Sequence, residues 1–579
     1  MPRLKIVIFI KTKMLLMVAD EGVEKIGVIL SGATTSFAKC EIYASAENKV
    51  EESMIVVIDS SKSKILARVE KIVPYNEFYR EGDAFTQARR ERMRVPTEIA
   101  RKYKIAELEL LGKLTSRGLS EITAPPEPGD EVASIDISRD LKNIFGVDIG
   151  EKGYTWFGTL YGYKNVPIPL DVEGLTMHLA IFGSTGSGKS YTTGYLLELL
   201  SEIPCGDGKV TALPAIVIDA NGDYLDYFWY FVKNRSFGAY RNVLRFVFDN
   251  SYAYRRERYE YPDNIKRITI DLEEFSPREL AEMIIAFRTG GTLNELQVAG
   301  LEMALRRLKE QYDWSFNDIF LNTAYFNDLS NEIDRITQID KTIHSQTARA
   351  IKSAIEHFRS EVVTKYNLLP EEGIATISSE FVKDITDNPQ LSIIDFSTGG
   401  ATGVPLQIKQ LVIAYLTKML YNTFTRFKIE GDERYLLLII EEAQNYCPNP
   451  STYPIGYTLT RETLSLIATQ GRKFGICLCL VTQRPSFVDP IVLSMVNTFF
   501  IHRVSVDDVN FVKRVTGGLP KVLESRLVNL GKGYVIITGQ MNILGFPVFC
   551  EVKDVRKIQP TIGKTNLVEV LSTKSVIKD

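Results

Sequence analysis

Cysteine and histidine are sparse in this sequence, and their spacing excludes two classes of chemistry. Six cysteines are spread over 579 residues, and the one close pair, Cys477 and Cys479, lacks the CxxC spacing. Four histidines, His178, His344, His357 and His502, stand far apart. Neither a disulfide framework nor a zinc site is expected, and a reducing cytosol is the natural setting. Long apolar runs are missing too. The stretch Ile6 to Ala19 is broken by Lys11 and Lys13, is too short to span a bilayer and has no small-residue cleavage site. It reads as a strand or an extension, with Met14 and Met17 as possible later starts. No membrane association is expected. Charge of one sign is also absent: 69 basic residues against 72 acidic ones leave a net charge of -3. A polyanionic partner would have to be held by a local basic surface, because the whole-molecule field would not attract it.

What is present is an ordinary globular composition, 45% hydrophobic and 24% charged, in a chain long enough for two or three domains. From Glu24 to Asn165, short apolar stretches such as Ile26 to Leu30, Met54 to Ile58 and Ile65 to Ile72 alternate with polar or glycine turns, predicting a small β-barrel or sandwich. The charged stretch Glu81 to Arg94 reads as a solvated helix or loop, and the proline cluster Ala124 to Gly129 as a turn or linker. From Leu179 apolar strands alternate with amphipathic helices, the pattern of a parallel sheet covered on both faces. Strands are expected at Leu179 to Phe182, Ala215 to Ile218, Ile393 to Phe396, Leu436 to Ile440, Ile476 to Val481 and Tyr534 to Thr538. Between Ser276 and Asn367 the pattern is helical. Ser276 with Glu279 forms a capping box with Pro277 at the first helical position, and Leu293 to Gln311 and Ile339 to Lys365 are long amphipathic stretches. The expected division is an N-terminal barrel with its extension over 1–165, an α/β core over 166–275 and 386–555 interrupted by a helical insertion at 276–385, and a polar tail over 556–579.

The sharpest chemical signal is Gly183-Ser184-Thr185-Gly186-Ser187-Gly188-Lys189-Ser190, which fits G-x-x-x-x-G-K-[ST] between a strand and a helix. Glycines let the backbone turn its N–H groups inward, Lys189 offers a compact charge to the β- and γ-phosphates, and Ser190 can ligate Mg²⁺. ATP is the expected ligand of Gly183 through Tyr191, and any metal should arrive with it. Such a loop needs an acidic strand end. Tyr435-Leu-Leu-Leu-Ile-Ile-Glu441-Glu442 delivers two carboxylates at the edge where open α/β sheets bind ligands. Glu441 is assigned to the metal shell with Ser190, and Glu442 to the attacking water. Asp219, followed by Asn221-Gly222-Asp223-Tyr224, either lines the same cleft or ends a strand in a plain turn. Downstream, Gln483 closes the strand that follows Gly471-Arg472-Lys473-Phe474-Gly475. A glutamine there can sense the γ-phosphate or orient water, and an arginine on a surface loop can reach a neighbour's nucleotide. Taken alone, Gly-Arg-Lys reads as a solvated turn, because surface arginines are common.

The set Met177-His178-Leu179-Ala180-Ile181, Asp219-x-x-Gly222-Asp223-Tyr224, Glu441-Glu442-Ala443, Gly471-Arg472-Lys473-Phe474-Gly475 and Gln483-Arg484-Pro485 resembles the HerA branch of the HerA and FtsK superfamily. Ile26 to Thr35 is similar to the opening of that family's N-terminal HAS barrel, and Leu530-Gly531-x-Gly533 with Tyr534 to Thr538 to its last core strand, so the likeness covers about residues 24 to 552. It implies a RecA-like core in a homo-hexamer whose channel passes double-stranded DNA, with a NurA-type nuclease docked on the barrel side and a role in end processing and recombinational repair. It further implies that Lys189 and Ser190 bind ATP and Mg²⁺, that Glu442 activates water, that Gln483 is the sensor, and that Arg472 is a finger acting in trans. Three departures stand out: Met177 replaces an arginine, Asp223 replaces a glutamate, and Cys447 to Tyr457 carries Pro448, Pro450 and Pro454. A DNA pump in conjugation, packaging or plasmid partition is the alternative task, and a nucleotide-gated scaffold ring with little turnover is the alternative class.

For DNA contact, the residues between Lys233 and Arg267 interleave Arg235, Arg241, Arg245, Arg255, Arg256, Arg258 and Lys266 with Tyr240, Tyr252, Tyr254, Tyr259 and Tyr261. Such a run suits backbone tracking with base stacking, against which stands the plainer reading of a solvated loop and edge hairpin at the entrance to the helical insertion. The glycine loop Gly399 to Gly403 is either a channel loop or an ordinary turn.

Overall fold

The computed structural model describes residues 24–560 except 62, 116–117, 137–141, 143, 253–261, 291–292, 340–342, 371–373 and 454–458. The expected extension at Ile6 to Ala19, the arginine and tyrosine run at 254–261 and the tail beyond 560 lie outside the described residues. The chain forms two compact units, 1–171 with 516–553 and 172–515 with 554–579.

The first unit is built on β1 (Lys25–Ile29), β2 (Phe37–Ile42), β3 (Ile55–Ser60), β4 (Ser63–Asn76), β5 (Lys102–Thr115), β6 (Gly118–Ser120) and β7 (Glu131–Ala133). They pair in the order β2-β1-β7-β3-β4-β5-β6, and a further β2–β5 pairing closes six of them into a barrel. Closure leaves none of the six with an unpaired edge. The core follows from residue alternation: along β5, Ala106, Leu108, Leu110 and Leu114 point inward at every second or fourth position, against Ile26, Cys40, Val56, Ile58, Ala67, Val69 and Val132. The charged stretch is the short helix Thr86–Arg90 in the β4–β5 connection, held by an Arg89–Asp83 ion pair. The same unit contains β8 (Tyr154–Phe157) paired with β10 (Ile168–Asp171), and β9 (Thr159–Leu160) paired with β22 (Val548–Glu551), itself antiparallel to β21 (Tyr534–Gly539).

The second unit is an α/β core whose eight central strands are all parallel. They are β11 (Leu179–Phe182), β14 (Ala215–Asp219), β15 (Asn242–Val247), β16 (Ile265–Arg267), β17 (Gln390–Asp395), β18 (Leu436–Ile440), β19 (Ile476–Thr482) and β20 (Thr498–Ile501), in the order β16-β15-β17-β14-β18-β19-β11-β20. A small hairpin, β12 (Ile203–Gly206) and β13 (Lys209–Thr211), stands apart from this sheet. Every residue of β11, β14, β17, β18 and β19 is buried, which is why β11, β18 and β19 and the body of β14 read as apolar runs, while β17 carries Gln390, Ser392 and Asp395 into the core.

The helical stretch opens as expected. Ser276 and Glu279 make both bonds of the capping box, with Pro277 leading the helix Pro277–Thr289. Helices Glu295–Tyr312, Phe316–Leu321, Thr323–Ile339 and Ser345–Phe358 follow, and Leu280, Ile284, Leu301, Leu305, Leu329, Ile333, Ile351 and Ile355 fill the space between them. The amphipathic run expected from Ile339 to Lys365 is divided: Ile339 ends the helix Thr323–Ile339, His344 caps the next, and Arg359–Lys365 winds as a π-helix.

One expectation fails for a reason legible in the packing. The basic residues between Lys233 and Arg267 were read either as a DNA-tracking surface or as a solvated loop and edge hairpin, yet β15 and β16 are parallel strands of the sheet, and Arg245 is 1% exposed. Its guanidinium donates through Nε to Asp395 Oδ2 at 3.0 Å, with a second bond from Nη2 to the same oxygen. Tyr240 is buried as well, its hydroxyl donating to the Leu213 carbonyl at 2.8 Å. Neither residue faces solvent. Arg245→Ala strands a buried carboxylate and is expected to cost about 3–5 kcal/mol, whereas an apolar pair of similar volume at 245 and 395 should cost far less. Denaturant unfolding of the two variants checks this.

Candidate nucleotide site

Strand order assembles the site. β19 lies between β18 and β11, so the carboxylates after β18, the glutamine after β19 and the glycine loop after β11 stand side by side at one sheet edge. That is where an open parallel sheet receives ligands. The loop itself requires its glycines. A Cβ on Gly183 would meet Ser187 Oγ at 2.4 Å and His502 Cβ at 2.7 Å, and Gly188 caps the helix Lys189–Leu200 with φ +114°, a conformation costly to any other residue. No side chain caps this helix, so its first-turn N–H groups, which have no intrahelical acceptor, are available to an anion. Ser187 Oγ is buried and has no hydrogen-bond partner. Lys189 is 9% exposed and donates to the Ser184 carbonyl at 3.3 Å; burial pulls its ammonium below the usual lysine range, opposed by Glu442, Glu441 and Asp223. A phosphate beside it would oppose that shift.

The acidic residues divide into separate tasks. Asp219, fully buried at the end of β14, accepts the backbone N–H groups of Asn221, Gly222, Asp223 and Tyr224 at 2.7–3.3 Å, and so shapes the loop after it. Burial and the neighbouring Asp395 push its carboxyl up to about 7. Of the two earlier readings, cleft wall or strand-end turn, the bonds make Asp219 the anchor of a turn, and the turn delivers Asp223 to the cleft. Asp223 Oδ2 accepts the Ser190 hydroxyl at 2.7 Å, so the shorter side chain still reaches the glycine loop. Glu441 Oε1 accepts the Tyr224 hydroxyl at 2.7 Å and lies 3.4 Å from Ser190 Oγ, while Glu441 Oε2 is buried with no hydrogen-bond partner. Burial, then Asp219 and Asp223, push the Glu441 carboxyl well above the usual range, and the Tyr224 hydroxyl draws it back.

Glu442 follows in a left-handed conformation, φ +49°, a strained arrangement for a residue with a side chain. Its two oxygens accept Gln483 Nε2 and Gln444 Nε2, each at 2.6 Å. Gln483 Oε1 in turn accepts the Thr185 hydroxyl at 2.6 Å, and Thr482 Oγ1 donates to Gln444 Oε1 at 2.8 Å. Gln483 thus bridges the glycine loop and Glu442. The proline-bearing connector packs beside it: Asn449 bonds Ser486 and Phe487, and Tyr453 stacks on Phe487 at 5.0 Å. Sequence reasoning did not foresee Gln444 or the task of Tyr224, although Tyr224 closes the quoted Asp-x-x-Gly-Asp-Tyr pattern. Tyr191 is held by the C-terminal segment, its hydroxyl accepting the Arg556 N–H at 3.1 Å. His178 ties β11 to its neighbours, Nδ1 accepting Leu478 N–H and Nε2 donating to the Ala468 carbonyl.

Arg472 is not on a loop. It sits in the last turn of the helix Leu459–Phe474, exposed, and Gly475 leads at once into β19. Gln483 is at the far end of that strand, so at about 3.3 Å per residue Arg472 lies roughly 20 Å from its own glycine loop.

Among the described residues no group of three histidine, cysteine, aspartate or glutamate side chains is arranged to hold a metal ion by itself. The partnerless Glu441 Oε2, the Ser190 hydroxyl and Asp223 instead offer hard oxygen donors beside the glycine loop, a set that fits a magnesium ion completed by phosphate oxygens.

The family model described as "Helicase HerA, central domain" matches residues 155–420. The chain is 24% identical to the DNA double-strand break repair helicase HerA of Sulfurisphaera tokodaii, covering 91% of this chain and 92% of that protein. It is 25% identical to a probable helicase of Methanocaldococcus jannaschii, covering 84% and 83% respectively. Among solved structures it is similar to VirB4 of Thermoanaerobacter pseudethanolicus, with a TM-score of 0.46 and 13% identity over 70% of this chain and 97% of that one. A glycine loop, a paired carboxylate edge and a bridging glutamine stand together on one parallel sheet, and the chain is similar to HerA helicases, through the central-domain model over residues 155–420 and at 24–25% identity to the relatives named above.

Proposed function

We propose that this protein is an ATP-driven translocase of double-stranded DNA that works as a homo-hexameric ring, with a NurA-type nuclease as partner in DNA end processing and repair. The observation that carries the motor reading is the bridge Thr185–Gln483–Glu442, which joins the phosphate loop to the second carboxylate through one side chain. Loss of a γ-phosphate at Thr185 would be felt at Glu442 through Gln483.

In this reading the backbone of Gly183 to Tyr191 cradles the phosphates, Lys189 neutralises β- and γ-oxygens, and Ser190 with Glu441 holds Mg²⁺. The ion supplies Lewis-acid polarisation of the phosphates when bound. Glu442 accepts the proton of the attacking water, with its oxygens oriented by Gln483 and Gln444. Arg472 stands far from its own site and at the surface, which suits a guanidinium that completes the adjoining protomer's pocket. The relatives' names support the repair role and the nucleic-acid substrate. Six free cysteines suit a reducing, cytosolic setting, and no helix among the described residues is long and apolar enough to cross a membrane.

The test is ATP turnover with and without duplex DNA, measured beside the native mass. The expected result is a hexameric mass and turnover stimulated by duplex, with stimulation falling steeply as salt rises. Slow turnover indifferent to DNA in a ring would favour the scaffold class, and an inert monomer would overturn the motor.

A further inference from the structure

Tyr224 is among the most deeply buried side chains of the second unit, and one hydrogen bond explains its placement. Asp219 fixes the backbone of residues 221–224 with four N–H bonds, which removes the freedom of the loop. The Tyr224 ring enters the core with 0% exposure, and its hydroxyl donates to Glu441 Oε1 at 2.7 Å. That bond satisfies one oxygen of a carboxylate otherwise crowded by Asp219, Asp223 and Glu442. The same oxygen lies 3.4 Å from Ser190 Oγ, and the other oxygen, Oε2, is left buried and without a partner. A carboxylate with one oxygen tethered and one free can rotate little about its last torsion. Its vacant lone pairs therefore keep a fixed direction relative to the Ser190 hydroxyl.

We infer that Tyr224 is a positioning residue that aims the free oxygen of Glu441 at the metal ion accompanying the nucleotide. It touches neither phosphate nor water; it acts through Glu441. Asp219 belongs to the same device because it sets the backbone from which Tyr224 reaches. The arrangement is the protein counterpart of an outer-shell hydrogen bond to a ligating carboxylate, whose loss typically weakens metal affinity about 10–100-fold. The inference rests on the proposed assignment of Glu441 to the metal.

The experiment uses the full chain and a fluorescent, non-hydrolysable ATP analogue, titrated with magnesium. Tyr224→Phe should raise the magnesium concentration for half-maximal tight binding about tenfold or more, while affinity for the analogue without metal stays at the wild-type value. Tyr227→Phe is the control: Tyr227 is equally buried three residues on, but its hydroxyl donates to Glu198 at 3.2 Å, and its magnesium midpoint should not move. An unchanged midpoint in Tyr224→Phe, or equal losses of affinity with and without metal, overturns the inference. Should Tyr224→Phe not fold, the double variant Tyr224→Phe/Glu441→Gln leaves no charged carboxylate without a donor and is compared with Glu441→Gln. Equal midpoints mean that Tyr224 acts through Glu441, and a further loss in the double variant overturns the inference. If Glu441→Gln itself leaves the midpoint unchanged, the assignment of Glu441 to the metal has failed, and the inference falls with it.

Discussion

Glu442→Gln should lower ATP turnover by about a hundredfold or more while the protein still binds nucleotide. The amide preserves volume and can still meet one of Gln483 and Gln444, but it cannot take a proton from water, and proton transfer by a positioned base contributes about 10²–10⁴-fold. The structure adds a reason for the direction. The left-handed backbone at Glu442 and the two 2.6 Å bonds to its oxygens hold the carboxylate in one orientation, so the loss should fall on kcat with little change in KM. Steady-state kinetics beside analogue binding separates the two. Retained turnover in Glu442→Gln would remove the water-activating role and return the protein to the scaffold class.

Mixing two inactive variants should restore activity. Lys189→Ala removes the ammonium proposed to bind phosphate, and Arg472→Ala removes the guanidinium that stands roughly 20 Å from its own pocket across the length of β19. Each homogeneous ring should turn over ATP about 10³-fold or more slowly, the scale on which an arginine finger contributes. In a ring with head-to-tail interfaces, random assembly of equal parts leaves about one interface in four with an intact Lys189 on one side and an intact Arg472 on the other. Activity of co-assembled protein should therefore return to about a quarter of wild type. No recovery, in a preparation shown to contain mixed rings, would mean that Arg472 does not act across the interface.

The parts legible from sequence share one property: each is specified by residues within about ten positions of one another. The glycine loop, the capping box at Ser276 and Glu279, and the strands β11, β14, β18 and β19 all emerge where their patterns put them, to within a residue at most ends. The barrel was legible from apolar alternation, but not its closure through β2 and β5, because strand pairing at long separation leaves no local trace. Arg245 shows the limit most clearly. A basic residue among other basic residues reads as solvated surface, and only the neighbouring strand with Asp395, 150 residues away, turns it into core. Arg472 is a milder case. Its pattern was noticed as a surface loop, whereas helical periodicity continues through it to Phe474.

By itself the sequence determined that this chain would hold a nucleoside triphosphate, because the phosphate loop needs only contiguous glycines, a lysine and a hydroxyl between a strand and a helix. It also determined which strands would be buried on both faces, since continuous apolar runs have no other stable place. Only the tertiary structure decided how the pocket is completed. Tyr224 meets Glu441 across 217 positions because β14 pairs with β18, and Thr185 meets Gln483 across 298 because β11 pairs with β19. Strand order is set by packing of the whole sheet and not by any stretch within it, so the partners that aim the carboxylates are written in the fold.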